Sequence, residues 1–440
     1  MKGCLKLTKL ADTVAINQSG HLEIGGVDSL KLVKQFGTPL IAYDVKQIKA
    51  KIKHFKQAFE TAKVPFRVTY ASKAFSALAM YRLVASQGLG CDVVSGGELY
   101  AALKGGMPAK MIEFHGNNKL PAELEMAVDA QIGCIVIDNF QEIDFLDEIL
   151  TRKQTKIPVV LRVAPGIEAE THRYISTGQQ NSKFGFDILS GQADQALQQL
   201  LANPRMKVRG VHCHIGSQIF AVNGFLMAAD KMVELLKNWH DRFNFEAEIL
   251  NLGGGFGTRY TNEDQPLPPE EFTTKIIQEV KKRIQAVKLP LPEIWIEPGR
   301  ALAGEAATTL YTIGSRKDVE GVCHFLAVDG GMGDNIRPAL YQAKYEAFLA
   351  AKPRALDEQV VTVVGKYCES GDVLVRDAAL PNTHPGDILA IPSTGAYGYT
   401  MASNYNRNPR PAVVFCENGQ AKLVIRRETY ADMLNCDVVK

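Results

Sequence analysis

The stretch FRVTYASKAFSALAMYRLVASQGLGCDVVSGGELYAALKGG, residues 66–106, runs twice through one pattern. A short β-rich run (FRVTYASK, 66–73; CDVVS, 91–95) ends in small, polar or charged residues. It then passes into a segment with apolar residues three and four apart, the spacing of a helix that buries one face. Six further runs repeat the pattern: IEFHG (112–116), CIVID (134–138), VVLRVAP (159–165), VRGVHCHIGS (208–217), EILNLGGG (248–255) and EIWIEPGR (293–300). Helical patterns such as QADQALQQLLANP, FLMAADKMVELLKNW and PEEFTTKIIQEVKKRIQAV lie between them. Eight strand–helix repeats over roughly 240 residues predict an α/β protein built on a closed (β/α)8 TIM-like barrel, with an open doubly wound sheet as the alternative.

After residue 306 the texture changes to short β runs separated by turns, including TTLYTIGSRK, HFLAVDGG, VVTVVG, DILAIPS and AVVFCENGQAKLVIRRE. These predict a C-terminal all-β domain, a sandwich or barrel. HLEIGGV (21–27) and LIAYDV (40–45) are also β-like and precede the repeat, so the N-terminal segment can pair with that domain. The expected division is a barrel over 39–308 and a β domain over 1–38 and 309–440.

The 440 residues are too many for one ordinary domain. The apolar fraction of 46% and charged fraction of 22% are those of a globular protein, and no apolar run approaches the length needed to cross a bilayer. Lysines interrupt the first twenty residues where a signal peptide needs an unbroken apolar segment, so a cytoplasmic protein is expected. The formal net charge is +2 and the charges are interspersed, without a basic block that would track a nucleic-acid backbone. A small-molecule partner is expected, with neither nucleic acid nor membrane. The eight cysteines (Cys4, Cys91, Cys134, Cys213, Cys323, Cys368, Cys416, Cys436) include no C-x-x-C pair, which argues against a disulfide framework or a zinc ribbon. Most read as small buried hydrophobes.

In such a barrel the loops after the strands converge on one mouth, so chemistry collects at the strands' carboxyl ends. Lys73, Asp92, His115, Arg162, His214 and Ser217, the Gly253–Gly254–Gly255 triplet, and Glu297 with Arg300 all fall at those ends. GGGFG fails as a dinucleotide fingerprint, because Thr258 stands where a glycine is required. Consecutive glycines at a strand end still let backbone N–H groups approach a compact anion, although a tight turn alone would need them as well. Lys73, at the end of a buried strand, reads as an amine whose pKa desolvation lowers, or as a lysine snorkelling from the rim. A phosphate cradle with a reactive lysine suggests pyridoxal phosphate, and Glu297 would then keep a pyridine nitrogen protonated. His212 and His214, two apart on a strand, face one side as zinc ligands could. No third ligand is evident nearby, so no metal site is expected and His212 reads as structural.

The chain resembles the fold-type III pyridoxal-phosphate decarboxylases along nearly its whole length, through FGTPLIAYD, YASKAF, GCDVVSGGEL, HGNNK, THRYISTGQQNSKFG, GVHCHIGSQI, LNLGGGFG and IEPGRALAGEA. VDGGMGDNIRPALY, CESGD and GAYGYTMASNYNRNPRP are similar to the branch of that family that acts on diaminopimelate. The resemblance implies pyridoxal 5'-phosphate as cofactor and decarboxylation of meso-2,6-diaminopimelate to L-lysine and carbon dioxide, the last step of lysine biosynthesis. It implies that Lys73 carries the cofactor and that His214 stacks on its ring. Ser217, Gly254, Gly255, the turn with Gly299 and Arg300, and Tyr397 would hold the phosphate. Glu297 would meet the pyridine nitrogen. Arg300, Arg337 and Tyr341 would hold the substrate carboxylate that stays, Tyr397 would also bind substrate, Glu369 would take the distal ammonium, and Cys368 would return a proton to the carbon. The family assembles its sites in a homodimer, the CESGD segment of one subunit entering the other's barrel. YASKAF carries phenylalanine where asparagine is frequent, GKYCESGD carries tyrosine where proline is common before the cysteine, and residues 171–185 resemble a mobile active-site loop. Decarboxylation of ornithine, arginine or carboxynorspermidine, racemase-type isomerisation, and a non-enzymatic binding role are the competing readings.

Overall fold

The computed structural model describes residues 14–167 and 182–438, so residues 171–181 of the loop singled out above lie outside the described residues. The chain divides into two units: Lys51–Gly257 with Pro266–Leu302, and Met1–Ala50 with Thr258–Gln265 and Ala303–Lys440.

The first unit is the barrel. Its eight parallel strands are Phe66–Ala71, Gly90–Val93, Ile112–Phe114, Cys134–Ile137, Ile157–Ala164, Met206–His212, Ile249–Asn251 and Glu293–Ile296. Each pairs with the next, and the eighth returns to the first through Ile294 opposite Phe66, which closes the sheet. Helices on the outer face bury most strand residues from one side and the barrel interior buries them from the other, which is why the runs read as apolar without alternation. Cys134, Val136, Val160, Ile249 and Trp295 form one packed cluster in this unit. The helices begin where the sequence supplies caps. Ser95 Oγ accepts the Glu98 N–H (3.2 Å) before Gly96–Lys104, and Asn139 Oδ1 accepts the Glu142 N–H (3.0 Å) before Phe140–Lys153.

In the second unit one long strand, Ala307–Val319, organises the sheet. It pairs with Cys323–Val328 along its second half, and with Ile388–Pro392 and Leu40–Asp44 along its first. Gln359–Val364 and Val373–Leu380 extend one side, and Ala412–Glu417 and Gln420–Ile425 the other. Leu40–Asp44 pairs with the C-terminal strands as expected, antiparallel to Ala307–Val319 and parallel to Ala412–Glu417, and so belongs to this sheet and not to the barrel, to which the boundary at residue 39 gives it. Its run of five buried or nearly buried residues has the texture of a barrel strand, so composition could not separate the two destinations. The HLEIGGV segment instead forms a small sheet of its own with Ala15–Ile16. Leu22 and Ile24 from it pack into one core with Leu40, Leu310 and Val414. No helix among the described residues is long and apolar enough to cross a membrane.

Candidate active site

At the barrel's carboxyl end the first strand stops at Ala71 and the chain makes a 3₁₀ turn, Ser72–Ala74, that carries Lys73. The turn is pinned from the second strand and its loop. Asp92 Oδ1 accepts the Ser72 N–H (2.8 Å), and Glu98 Oε2 accepts both Ser72 Oγ–H (3.1 Å) and the Val94 N–H (2.8 Å). Lys73 itself is exposed, the rim position and not the desolvated one of the two that the sequence allows. The strand ends two residues too early to carry it into the interior.

Below the mouth lies a buried carboxylate cluster. Glu297, one residue past the eighth strand, accepts Asn251 Nδ2–H at Oε1 (2.6 Å) and lies 3.1 Å from His115 Nε2 and 3.2 Å from His212 Nε2. Burial alone would raise its pKa, but the two imidazoles hold it well below the ordinary carboxylate range. Burial likewise works against a charge on His115, yet Glu297 and Glu113 push its pKa up to about 9. His212, edge-on to His115 with ring centroids 4.9 Å apart, goes the other way, and desolvation takes it down to about 4. Asp92 is pushed up to about 7 by burial, against the pull of His115 and with Glu297 adding to the rise. Glu297 is therefore an ionised carboxylate, an acceptor suited to a positively charged ring N–H.

The seventh strand ends at Asn251 and leads into the glycine triplet. Asn251 Oδ1 accepts the Gly253 N–H (2.9 Å), and the Gly254 N–H points at His214 Nδ1 (3.2 Å). Gly255 has φ +107°, and a Cβ there would overlap the Gly216 carbonyl, so this close approach of two loops requires glycine. Across the turn Arg300 Nη2–H donates to Ser217 Oγ (3.1 Å). His214 is half-buried, two residues beyond its strand, and desolvation with the charges of Lys73 and Arg162 keeps it neutral, its pKa well below the usual value. Arg162 is buried in the fifth strand, its guanidinium 4.4 Å over the Phe184 ring and its Nε 3.7 Å from Asp138 Oδ1.

The remaining expected residues lie in the second unit. Arg337 opens the short helix Arg337–Tyr341 and is buried. Its guanidinium stacks 4.3 Å over Tyr260 and donates from Nη1 to the Tyr345 hydroxyl, and its Nε has no hydrogen-bond partner among the described residues. Tyr341 and Tyr397 are half-buried, and Tyr397 takes a positive φ of 59°. Cys368 and Glu369 are exposed on a turn between Gln359–Val364 and Val373–Leu380. Four of the described cysteines are buried (Cys91, Cys134, Cys213, Cys416), and Cys368 is not among them.

Sequence reasoning missed the polar residues beneath the site. Glu113 is wholly buried, accepts Thr69 Oγ1–H (2.6 Å) and Asn251 Nδ2–H (3.3 Å), and lies 3.8 Å from His115 Nε2. The signal was present: Glu113 and His115 are two apart, and so are Asn251 and Gly253, so each pair shares a face. The third partner sought for His212 comes from other strands, since His115, His212 and Glu297 offer ligand atoms within 4.8 Å of one another. His214 is outside that group.

The barrel residues fit a phosphate-bearing pyridine aldehyde. Ser217, Arg300 and the glycine turn suit an anion, Glu297 suits a ring N–H, and Lys73 offers an amine at the mouth.

A family model for the pyridoxal-binding domain of pyridoxal-dependent decarboxylases matches residues 45–304. The chain is 58% identical over 416 residues to a diaminopimelate decarboxylase of Bacillus methanolicus, covering 94% of this chain and 96% of that one. It is 55% identical over 422 residues to the diaminopimelate decarboxylase of Bacillus subtilis, covering 96% of each. Among solved structures, the diaminopimelate decarboxylase of M. jannaschii in co-complex with L-lysine aligns with a TM-score of 0.91 at 36% identity, covering 98% of both chains.

Proposed function

The chain belongs to the diaminopimelate decarboxylase branch of the pyridoxal-dependent decarboxylases, and from that premise we infer its reaction and the work of its residues. It uses pyridoxal 5'-phosphate to release one carboxylate of meso-2,6-diaminopimelate as carbon dioxide, leaving L-lysine. The cofactor, when bound, supplies an electron sink for the pair left behind as the carboxylate departs.

The protein's part is to hold, orient and protonate. We assign Lys73 as the amine that carries the cofactor, and its exposed place on a pinned turn supports this reading. Ser217, Gly254, Gly255, Gly299, Arg300 and Tyr397 hold the phosphate. Neutral His214 lies against the ring, and Glu297, kept ionised by His115, holds the ring nitrogen's proton in place. The observation that carries the choice of substrate is Arg337, a buried guanidinium framed by the faces of Tyr260 and Tyr345. A remote carboxylate calls for such a planar cation, whereas a substrate ending in a bare amine would meet repulsion there. Arg300, Tyr341 and Tyr397 complete the binding of that end, and Glu369 takes the distal ammonium. Cys368 returns the proton to the α-carbon, a thiol S–H being able to act as a general acid. The assembly is a cytoplasmic homodimer in which the Cys368–Glu369 turn of one subunit joins the barrel site of the other.

The test compares carbon dioxide release from meso-diaminopimelate, ornithine, arginine and carboxynorspermidine. Turnover of the first is expected to exceed the others by orders of magnitude, and preference for any other would overturn the substrate. Borohydride should fix the cofactor irreversibly to the wild type and not to Lys73→Ala; equal labelling of both would refute the role of Lys73.

A further inference from the structure

The four residues Cys368–Gly371 are all exposed, yet the two that bracket them, Tyr367 and Asp372, are buried. The Asp372 carboxylate is turned inward as an acceptor of backbone donors. Oδ1 accepts the Met332 N–H (2.6 Å) and Oδ2 accepts the N–H of Tyr367 (2.9 Å), the residue immediately before the cysteine. Gly331 and Gly365 leave the space this carboxylate fills, since a Cβ at either would overlap it. Main-chain bonds close the turn itself: Asp372 N–H to Glu369 O (3.1 Å), Gly365 N–H to Asp372 O (3.1 Å) and Glu369 N–H to Tyr367 O (2.8 Å). A second clamp comes from the GAYGYTMASNYNRNPRP segment, where Asn406 Oδ1 accepts the Cys368 N–H (2.8 Å). Asn406 sits at φ +51°, and the neighbouring Tyr405 ring lies parallel to Tyr367 with centroids 6.1 Å apart.

We propose that Asp372 and Asn406 are positioning residues for Cys368: one holds the N–H of the preceding residue, Tyr367, and the other holds the cysteine's own N–H, so the side chain stays exposed on a fixed backbone. The inference rests on the reading of Cys368 as proton donor and extends it to residues that touch neither substrate nor cofactor. It also gives two sequence motifs a common purpose. CESGD ends in aspartate because its last residue ties the turn down, and Asn406, the second asparagine of SNYNR, reaches across to the same turn.

The test uses the holoenzyme and two readouts, steady-state kinetics and the rate at which iodoacetamide alkylates Cys368, mapped by peptide mass. Asp372→Asn offers one carbonyl where two acceptors are needed and sets an NH₂ against a backbone N–H. It should lower kcat about tenfold with KM within about twofold, and change Cys368 alkylation several-fold. Buried Cys134 and Cys416 should stay unlabelled, which separates a displaced turn from an opened fold. Asn406→Ala should lower kcat a few-fold, and Asn406→Asp, which restores the acceptor, should recover most of it; this pair carries the test if Asp372→Asn does not fold. Wild-type kcat and alkylation in Asp372→Asn and Asn406→Ala, alongside slow turnover in Cys368→Ala, would overturn the positioning role alone. Undiminished turnover in Cys368→Ala would overturn the proton-donor reading and this inference with it. Labelling of the buried cysteines in the slow variants would overturn it in favour of general destabilisation.

Discussion

Replacing Lys119 by methionine isolates one buried ion pair beside the site. Lys119 is 3% exposed and its ammonium donates three bonds, to Gly116 O (2.8 Å), Val136 O (2.7 Å) and Glu142 Oε1 (2.7 Å). Glu142 also accepts the Asp138 N–H at Oε2 (3.1 Å), so the pair joins the loop after His115 to the start of the helix Phe140–Lys153. Methionine keeps the bulk and removes the charge, leaving a carboxylate buried without its cation. Breaking such a pair from one side costs about 3–5 kcal/mol. Glu142 can lower that cost by taking a proton, and burial already raises its pKa, so a figure near the bottom of the range, about 3 kcal/mol, is expected at neutral pH. The loss should shrink as the pH falls and Glu142 protonates. Both tryptophans, Trp239 and Trp295, are buried in the barrel unit, so urea unfolding followed by tryptophan fluorescence reports on that unit. With an m-value on the order of 3 kcal/mol per molar, the midpoint should drop by about 1 M at pH 7. Lys119→Met/Glu142→Gln should recover part of it, though Gly116 O and Val136 O still lack the donor. A drop under about 0.3 M, or one that neither acid nor the second change reduces, would refute the reasoning.

Two further outcomes are expected. Gly255→Ala should weaken cofactor binding at least about tenfold, measured by tryptophan quenching on titration with pyridoxal phosphate, because the added Cβ meets the Gly216 carbonyl at a φ of +107°. His115, raised to about 9 from an ordinary 6.5, contributes stability that is fully present below the unfolded value and lost as the pH rises through the folded one. The cofactor-free protein's urea midpoint should therefore fall between pH 7 and pH 9.5, and His115→Gln should flatten that limb; an equally steep fall in the variant would assign it to another group.

The barrel was legible because each of its strands is a short apolar run bounded by breakers, and eight such runs admit few other closures. The residues after those strands were legible too, since Ser217, the glycine triplet, Glu297 and Arg300 stand at turns where ordinary packing does not ask for them. What escaped was long-range. The pairing of Leu40–Asp44 with the C-terminal β runs was expected, but a boundary at residue 39 still gave it to the barrel, because its composition is that of a barrel strand and its partners at Ala307–Val319 and Ala412–Glu417 lie hundreds of residues away. The two readings of Lys73, desolvated or at the rim, are not separable in sequence, because pattern alone does not say that hydrogen bonding ends the strand at Ala71 and leaves the lysine exposed. Glu113 and Asp372 look like surface acids in sequence; their burial becomes intelligible only once Thr69 and Asn251, or the N–H groups of Met332 and Tyr367, are brought to them.

The same distinction between position and state governs the two histidines under the mouth. His115 and His212 both touch Glu297 at nearly equal distance and their rings meet edge to face, yet the first is held charged and the second neutral. The difference lies in what else each one faces. His115 has Glu113 on its own strand and Asp92 on the next, so three carboxyl groups favour its proton, whereas His212 has only Glu297 against desolvation and the charges of His115 and Arg162. One proton on the pair is enough to keep Glu297 ionised, and a second would bring two imidazolium rings into contact. Glu113, wholly buried 3.8 Å from His115 Nε2, is thus one of the carboxyl groups that favour the proton on His115 over His212.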